Sequence, residues 1–282
     1  MAEDSSLREL VEGAGVGMVL GIIGMGLAFV FNVFAARYYG PDSFGQFTLA
    51  KTILLFTSMV AGMGIIKGVE RYIPRYESND EGEKLKGYLS FVFTWPISLS
   101  VMLGLGLFFS AEWLTGFFDY PSEFSTLLRV VGLTVPFRVL QQVFTRIFLA
   151  HKNVFLHQFN TEVVENVVLL AGMAVVVWFD LSVFALVVTL ALSFVIASLF
   201  NWVRYRWDIS HSSIDGSESG DHQHVEWLQF SVPLFFTGIL SFVVNWTDNF
   251  FIGRYLEPEQ LGVYGVVFSM AMVLKLFQVV FI

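Results

Sequence analysis

Arg138, Lys275 and Lys51 stand in runs of apolar residues, where a cation is costly unless it faces a cavity or a partner. Counting about 1.5 Å per residue from a helix start near residue 125 puts Arg138 about 20 Å along, close to the middle of a bilayer. Lys275 reaches a similar depth in its own helix, and Lys51 sits roughly 10 Å below a surface. A guanidinium presents a planar fork that matches phosphate oxygens, and an ammonium presents a compact charge. Three such groups could hold a phosphate-bearing solute in a low-dielectric interior. The competing role for Arg138 is a structural charge bonded to a carboxylate or to carbonyls, and Lys51 could instead snorkel. Asp248 and Asn249 could bind and release H⁺ or Na⁺; the other reading is a hydrogen bond within the bundle or a pairing of Asp248 with Arg254. Arg129, nine residues before Arg138, falls on the opposite helix face at 100° per residue. Arg146 lies near the other surface, where Glu162 and Glu165 are expected to pair with it.

Other chemistries leave no trace. The sequence has no GxxxxGK loop for nucleotide phosphates, no HExxH and no CxxC, so neither a cofactor nor a metal is expected. His222 and His224 stand in an acidic, polar stretch that is a poor metal site. The connections on one side are about 15 residues at most, too short for an extracytoplasmic catalytic domain, and an enzyme is not expected. Asn245 opens an Asn-Trp-Thr triplet but lies inside an apolar span, so it should carry no glycan. A net charge of −8 argues against nucleic acid as a partner.

The elements that must position these residues are transmembrane helices. The chain is 55% hydrophobic and only 14% charged, against about 25% charged in soluble domains. Its runs Ala14 to Phe34 and Leu181 to Trp202 hold no charge, and roughly 20 apolar residues cross a bilayer core. Hydropathy breaks predict an all-α, polytopic bundle of eight spans near 14–36, 44–66, 87–109, 125–149, 158–179, 181–203, 228–252 and 261–282. The acidic N-terminus lacks the basic start of a signal peptide, so the first helix is retained. With the N-terminus inside, Arg8, Lys67, Arg71, Arg75, Lys84, Lys86, Lys152, Arg204 and Arg206 fall on the inner side, and only Arg37 and Arg254 on the outer. That asymmetry predicts a multi-pass cell-membrane protein with a cytoplasmic N-terminus. Gly13, Gly17, Gly21 and Gly24 space the first helix for close packing.

One loop occurs twice. RYYGPDSFGQF, from Arg37 to Phe47, returns as RYLEPEQLGVY, from Arg254 to Tyr264, at an offset of 217 residues that also aligns Asn32 with Asn249. Six spans bring the chain back to its starting side, so a second copy would begin in the same orientation, as a parallel repeat. The expected organisation is a six-helix lobe at 1–203, an acidic cytoplasmic linker at 204–226, and the first two helices of a second lobe at 227–282.

ARYYGPDSFGQFTL (Ala36 to Leu49), GVERYIPRY (Gly68 to Tyr76) and FLAHKNVF (Phe148 to Phe155) resemble the polysaccharide-biosynthesis, Wzx-like flippases of the multidrug/oligosaccharidyl-lipid/polysaccharide exporter (MOP) superfamily. The resemblance implies 12 to 14 helices in two lobes around a cavity, moving a lipid-linked oligosaccharide or polysaccharide precursor from the inner to the outer leaflet by alternating access. It implies as partners the lipid-linked glycan, membrane lipids, and glycosyltransferases or a glycan polymerase. A cation-coupled multidrug antiporter of the same superfamily shares the architecture but calls for acidic cavity residues, and a non-transporting assembly partner or fragment is the third reading. The sequence ends at FQVVFI inside an apolar helix just after the second copy begins, which predicts a truncated product.

Overall fold

Gly40 decides the shape of the first element. In the computed structural model, which describes residues 2–209 and 223–281, helix α1 (Ala2–Gly62) is broken at Gly40, whose φ of 76° and ψ of 167° are not helical. Glycine tolerates that φ because it has no Cβ, and Pro41 then starts a new helix where its missing N–H costs nothing. The chain folds back on itself there. The rings of Phe31 and Phe47 lie 5.7 Å apart, whereas the same stretch of straight helix would separate them by about 24 Å. α1 is therefore two antiparallel arms, the first and second expected spans.

The second arm stops at Gly62, because Met63 and Gly64 take positive φ. The inner loop expected beyond it is instead a helix, α2 (Ile65–Ser78). Its apolar positions recur at helical spacing. Ile65, Ile66, Val69, Tyr72, Ile73 and Tyr76 are buried while Lys67, Glu70, Arg71 and Glu77 are exposed, the pattern of an amphipathic helix. The hydropathy breaks hid it, since charge on one face lowers the mean of the whole segment.

α3 (Gly82–Phe118) and α4 (Phe124–Ala150) follow as an antiparallel pair. Gly104 and Gly132 face each other where they cross, and a Cβ on either would overlap the other's carbonyl oxygen or come within 2.6 Å of it. The fifth expected span is three pieces: α5 (Val154–Gln158), a π-helical turn (Phe159–Val164) and α6 (Glu165–Trp178). Then come α7 (Val183–Ile209), which runs into the segment expected to be linker, α8 (His224–Tyr255) and α9 (Pro258–Phe281). Among the described residues six helices, α1 counted once, are long and apolar enough to cross a membrane, and large apolar side chains such as Phe109, Trp178 and Val244 lie on their outer faces.

Small residues in the first arm serve packing. Gly13 and Gly17 meet Val154 and Gln158, and Gly24 leaves no space for a Cβ beside Glu162, whereas Gly21 faces nothing within 4 Å. α9 packs along the α1 hairpin, and the start of α8 is gripped by α2 and α3. Trp227, fully buried, donates its Nε1–H to Tyr76 at 2.9 Å and packs on Tyr88 and Phe91. His224 joins that aromatic cluster; His222 lies outside the described residues.

Candidate functional site

α4 carries a polar stripe toward the α2 end of the bundle. Arg138, Gln141, Gln142, Thr145 and Arg146 recur at three- and four-residue spacing, which places them on one side of a helix. They line a cavity of about 380 Å³, closed elsewhere by the end of the second α1 arm, Lys67 of α2, the α5 and π-turn residues His157, Gln158, Thr161 and Glu162, and Leu234, Phe235 and Gly238 of α8. Proline at 136 withholds one backbone donor just before the stripe, and the π turn shifts the register of the facing helix, so that Glu162 lines the cavity while Glu165 packs inside the bundle.

Arg138 is both cavity wall and ion-pair member. Its Nη1 donates to Gln141 Oε1 at 2.6 Å and to Glu165 Oε2 at 3.2 Å, and its guanidinium lies 4.7 Å over the ring of Phe194. The pair is mostly buried, with side-chain exposures of 14% and 11%. The expected pairing of Arg146 with the carboxylates of the fifth span is corrected: Arg146 pairs with Glu70 of α2, because helix α2 brings that carboxylate beneath α4. Arg129 points away from the cavity, as its spacing required, and donates to Glu112 at 2.6 Å. Lys67 is exposed and makes no ion pair among the described residues.

Lys51 lies elsewhere. It lines a second cavity of about 280 Å³ nearer the Gly40 turn, with Asn32, Thr52, Trp246, Asn249 and Ser269, while remaining in electrostatic reach of Glu165 and Arg138. Asp248 accepts a hydrogen bond from the Tyr264 hydroxyl and another from the Asn249 N–H at 3.0 Å. It makes no pair with Arg254, which stacks instead over Phe117 at 5.2 Å. Asn249 is buried and donates to Thr52 Oγ1 at 2.9 Å. The side chain of Lys275 falls outside the described residues. The structure thus separates the sequence-predicted residues into two groups, Arg138 at one cavity and Lys51 and Asn249 at the other. It adds Lys67, Gln142 and Thr145, which the three- and four-residue spacing along α4 and the amphipathic pattern of α2 could have revealed.

The sequence profile of polysaccharide biosynthesis proteins matches residues 10–282. The chain belongs to the polysaccharide biosynthesis protein family. Over 114 residues this family member is 30% identical to the succinoglycan biosynthesis transport protein ExoT of Rhizobium meliloti, a match covering 40% of the chain and 21% of that protein. Its fold is similar to that of the MATE multidrug transporter DinF-BH, solved in a ligand complex (TM-score 0.66, 16% identity), over 92% of the chain and 60% of the transporter. It is similar also to a MOP superfamily transporter from Pyrococcus furiosus (TM-score 0.61, 15% identity), over 94% of the chain and 64% of that protein. The chain therefore spans about three fifths of the solved structures it matches.

Proposed function

We propose that this polysaccharide biosynthesis protein is a membrane transporter that moves lipid-linked oligosaccharide or polysaccharide precursors from the cytoplasmic to the outer leaflet, and that the cavity at Arg138 receives the charged head of the cargo. The observation that carries the reading is the cation set on that cavity. Lys67, Arg138 and Arg146 line it with amides, two threonine hydroxyls and His157, against the carboxylate Glu162. Arg138 and Arg146 are already paired with Glu165 and Glu70 outside the lining, so Lys67 is the lining cation with no ion pair among the described residues. A lipid-linked sugar brings phosphate or diphosphate into a region of low dielectric, where an opposite charge is worth several times its value in water. The amides of Gln141, Gln142 and Gln158 suit sugar hydroxyls. A drug-exporting relative that takes cations calls for the reverse polarity.

In this proposal the N-terminus and α2 are cytoplasmic, as the distribution of Lys and Arg favours. Residues 1–203 form one lobe, 227–282 contribute to a second, and Lys275 joins Lys51 along the path. The sequence has no phosphate-cradling nucleotide loop, so an ion gradient or downstream consumption of the glycan supplies the energy. The experiment is a flipping assay in proteoliposomes with a fluorescent lipid-linked oligosaccharide. Movement to the outer leaflet that falls at least tenfold in Lys67→Glu is expected. Unchanged flipping in that variant, or export of an organic cation in its place, overturns the assignment.

A further inference from the structure

The two copies of the repeated loop meet each other in the structure, and they do so reciprocally. A Cβ on Gly45 would overlap the carbonyl oxygen of Pro258, and a Cβ on Gly262 would overlap that of Pro41. Gly45 and Gly262 are counterparts at the 217-residue offset, as are Pro41 and Pro258. The same exchange occurs further along. Asn32 donates to Ser269 Oγ at 2.9 Å, and Asn249 donates to Thr52 Oγ1 at 2.9 Å. Asn32 is the counterpart of Asn249, and Thr52 of Ser269. Each bond joins the first helix of one copy to the second helix of the other, so the contact has the logic of a two-fold interface, in which residue i meets j and j meets i.

Three features make this seam a closure. It lies at the end of the bundle opposite the opening of the Arg138 cavity, since Gly45 follows the Gly40 turn while Lys67 and Arg146 sit at the α2 end. The glycines bring backbones together with no side chain between them, which leaves no passage. The bonds beyond them are neutral amide-to-hydroxyl contacts, worth less than an ion pair and therefore easily exchanged.

We propose that the two asparagine–hydroxyl bonds are a paired latch that holds the hairpin end of the cargo path shut while the α2 end is open. The proposal rests on the transporter reading above. Opening the hairpin end separates α8 and α9 from the α1 arms, breaks both bonds together, and exposes the second cavity with Lys51 to the outer side. Lys51 then offers the cargo's anionic head a counter-charge beyond the Arg138 cavity.

The chain contains no cysteine, so a single introduced thiol reports its own access. Thr48→Cys places one in the second cavity and Gln142→Cys one in the first. An impermeant maleimide is applied to the outer side for the former and to the cytoplasmic side for the latter, in vesicles holding the full chain. In the Asn32→Ala, Asn249→Ala background, labelling of Thr48→Cys rises about tenfold and labelling of Gln142→Cys falls. That is about threefold per bond, or about 0.7 kcal/mol each, in the range of interhelical hydrogen bonds in membranes. The exchanged pair Asn32→Ser with Ser269→Asn restores a donor and an acceptor across the seam and returns labelling to the wild-type level, whereas Asn32→Ser alone does not. Unchanged Thr48→Cys labelling in the alanine background overturns the latch. So does a rise at both reporters together, which would mean a loosened bundle, or an exchanged pair that labels as strongly as the single variant. Labelling needs no cargo, so a latch that behaves this way in a chain that flips no glycan would stand while the cargo assignment fell.

Discussion

Arg138→Ala removes one half of a buried ion pair, and its effect can be worked from the contacts. Two hydrogen bonds from the guanidinium disappear, to Glu165 and to Gln141, and Glu165, with 11% of its side chain exposed, is left charged and without its cation. Breaking such a pair from one side costs about 3–5 kcal/mol. At about 2–4 °C per kcal/mol for a chain of this size class, thermal unfolding in detergent should shift down by roughly 10 °C. The double variant Arg138→Met, Glu165→Leu removes both charges and refills the space with apolar side chains, a change that is often close to neutral. It should recover most of the lost stability, short of about 1–2 kcal/mol for the abandoned Gln141 acceptor. The assay is fluorescence-detected unfolding of Arg138→Ala, the single variants Arg138→Met and Glu165→Leu, and the double variant, followed by flipping measured on those that fold. A double variant as unstable as the sum of the two single ones would refute the buried-pair argument. If the double variant is stable and flips at the wild-type rate, Arg138 does not hold the cargo; stable and inactive is the outcome expected.

Lys67→Ala should lower flipping by about tenfold with no change in unfolding temperature, because this exposed side chain has no ion pair to lose. Trp227→Phe keeps the ring packing but deletes the bond to Tyr76, and should cost about 1–3 kcal/mol in the same unfolding assay; full stability would show that α8 is not anchored there. Asp248→Asn keeps an acceptor for Tyr264, so the pH and Na⁺ dependence of flipping should stay as in the wild type, and a flattened profile would make Asp248 the coupling residue instead.

The fold was legible where hydropathy changes sharply. All eight expected spans correspond to helices or helix arms, since long apolar runs admit few alternatives in a membrane. α2 was not, because its charge and its apolar face share the same residues Ile65 to Ser78 and cancel in an average. The π turn was invisible for a different reason: Glu162 within it lies against Gly24, a contact between distant segments that no local pattern announces. For the site, depth along α4 singled out Arg138. Its partner is not legible there: nearness to one surface groups Glu165 with Arg146, whereas α4 and the fifth span run antiparallel and bring residue 165 level with 138. Lys67 is hidden for the same reason as α2, since a mean hydropathy makes its segment read as a loop.

The reciprocal seam around Gly45 and Gly262 bears on symmetry. A surface whose two sides are chemical counterparts needs only one gene to specify it. Two identical chains carrying Asn, Pro, Gly and a hydroxyl residue at these positions could make the same contacts with each other. The two copies here depart from equivalence: Phe31 and Phe47 pack ring against ring where their counterparts Asp248 and Tyr264 share a hydrogen bond, and the counterpart of Lys51 is Phe268. In a homodimer each of those positions must serve both sides at once. Two unlike copies in one polypeptide let Lys51 line the seam cavity with Phe268 as its counterpart, an asymmetry that a pair of identical chains could not hold.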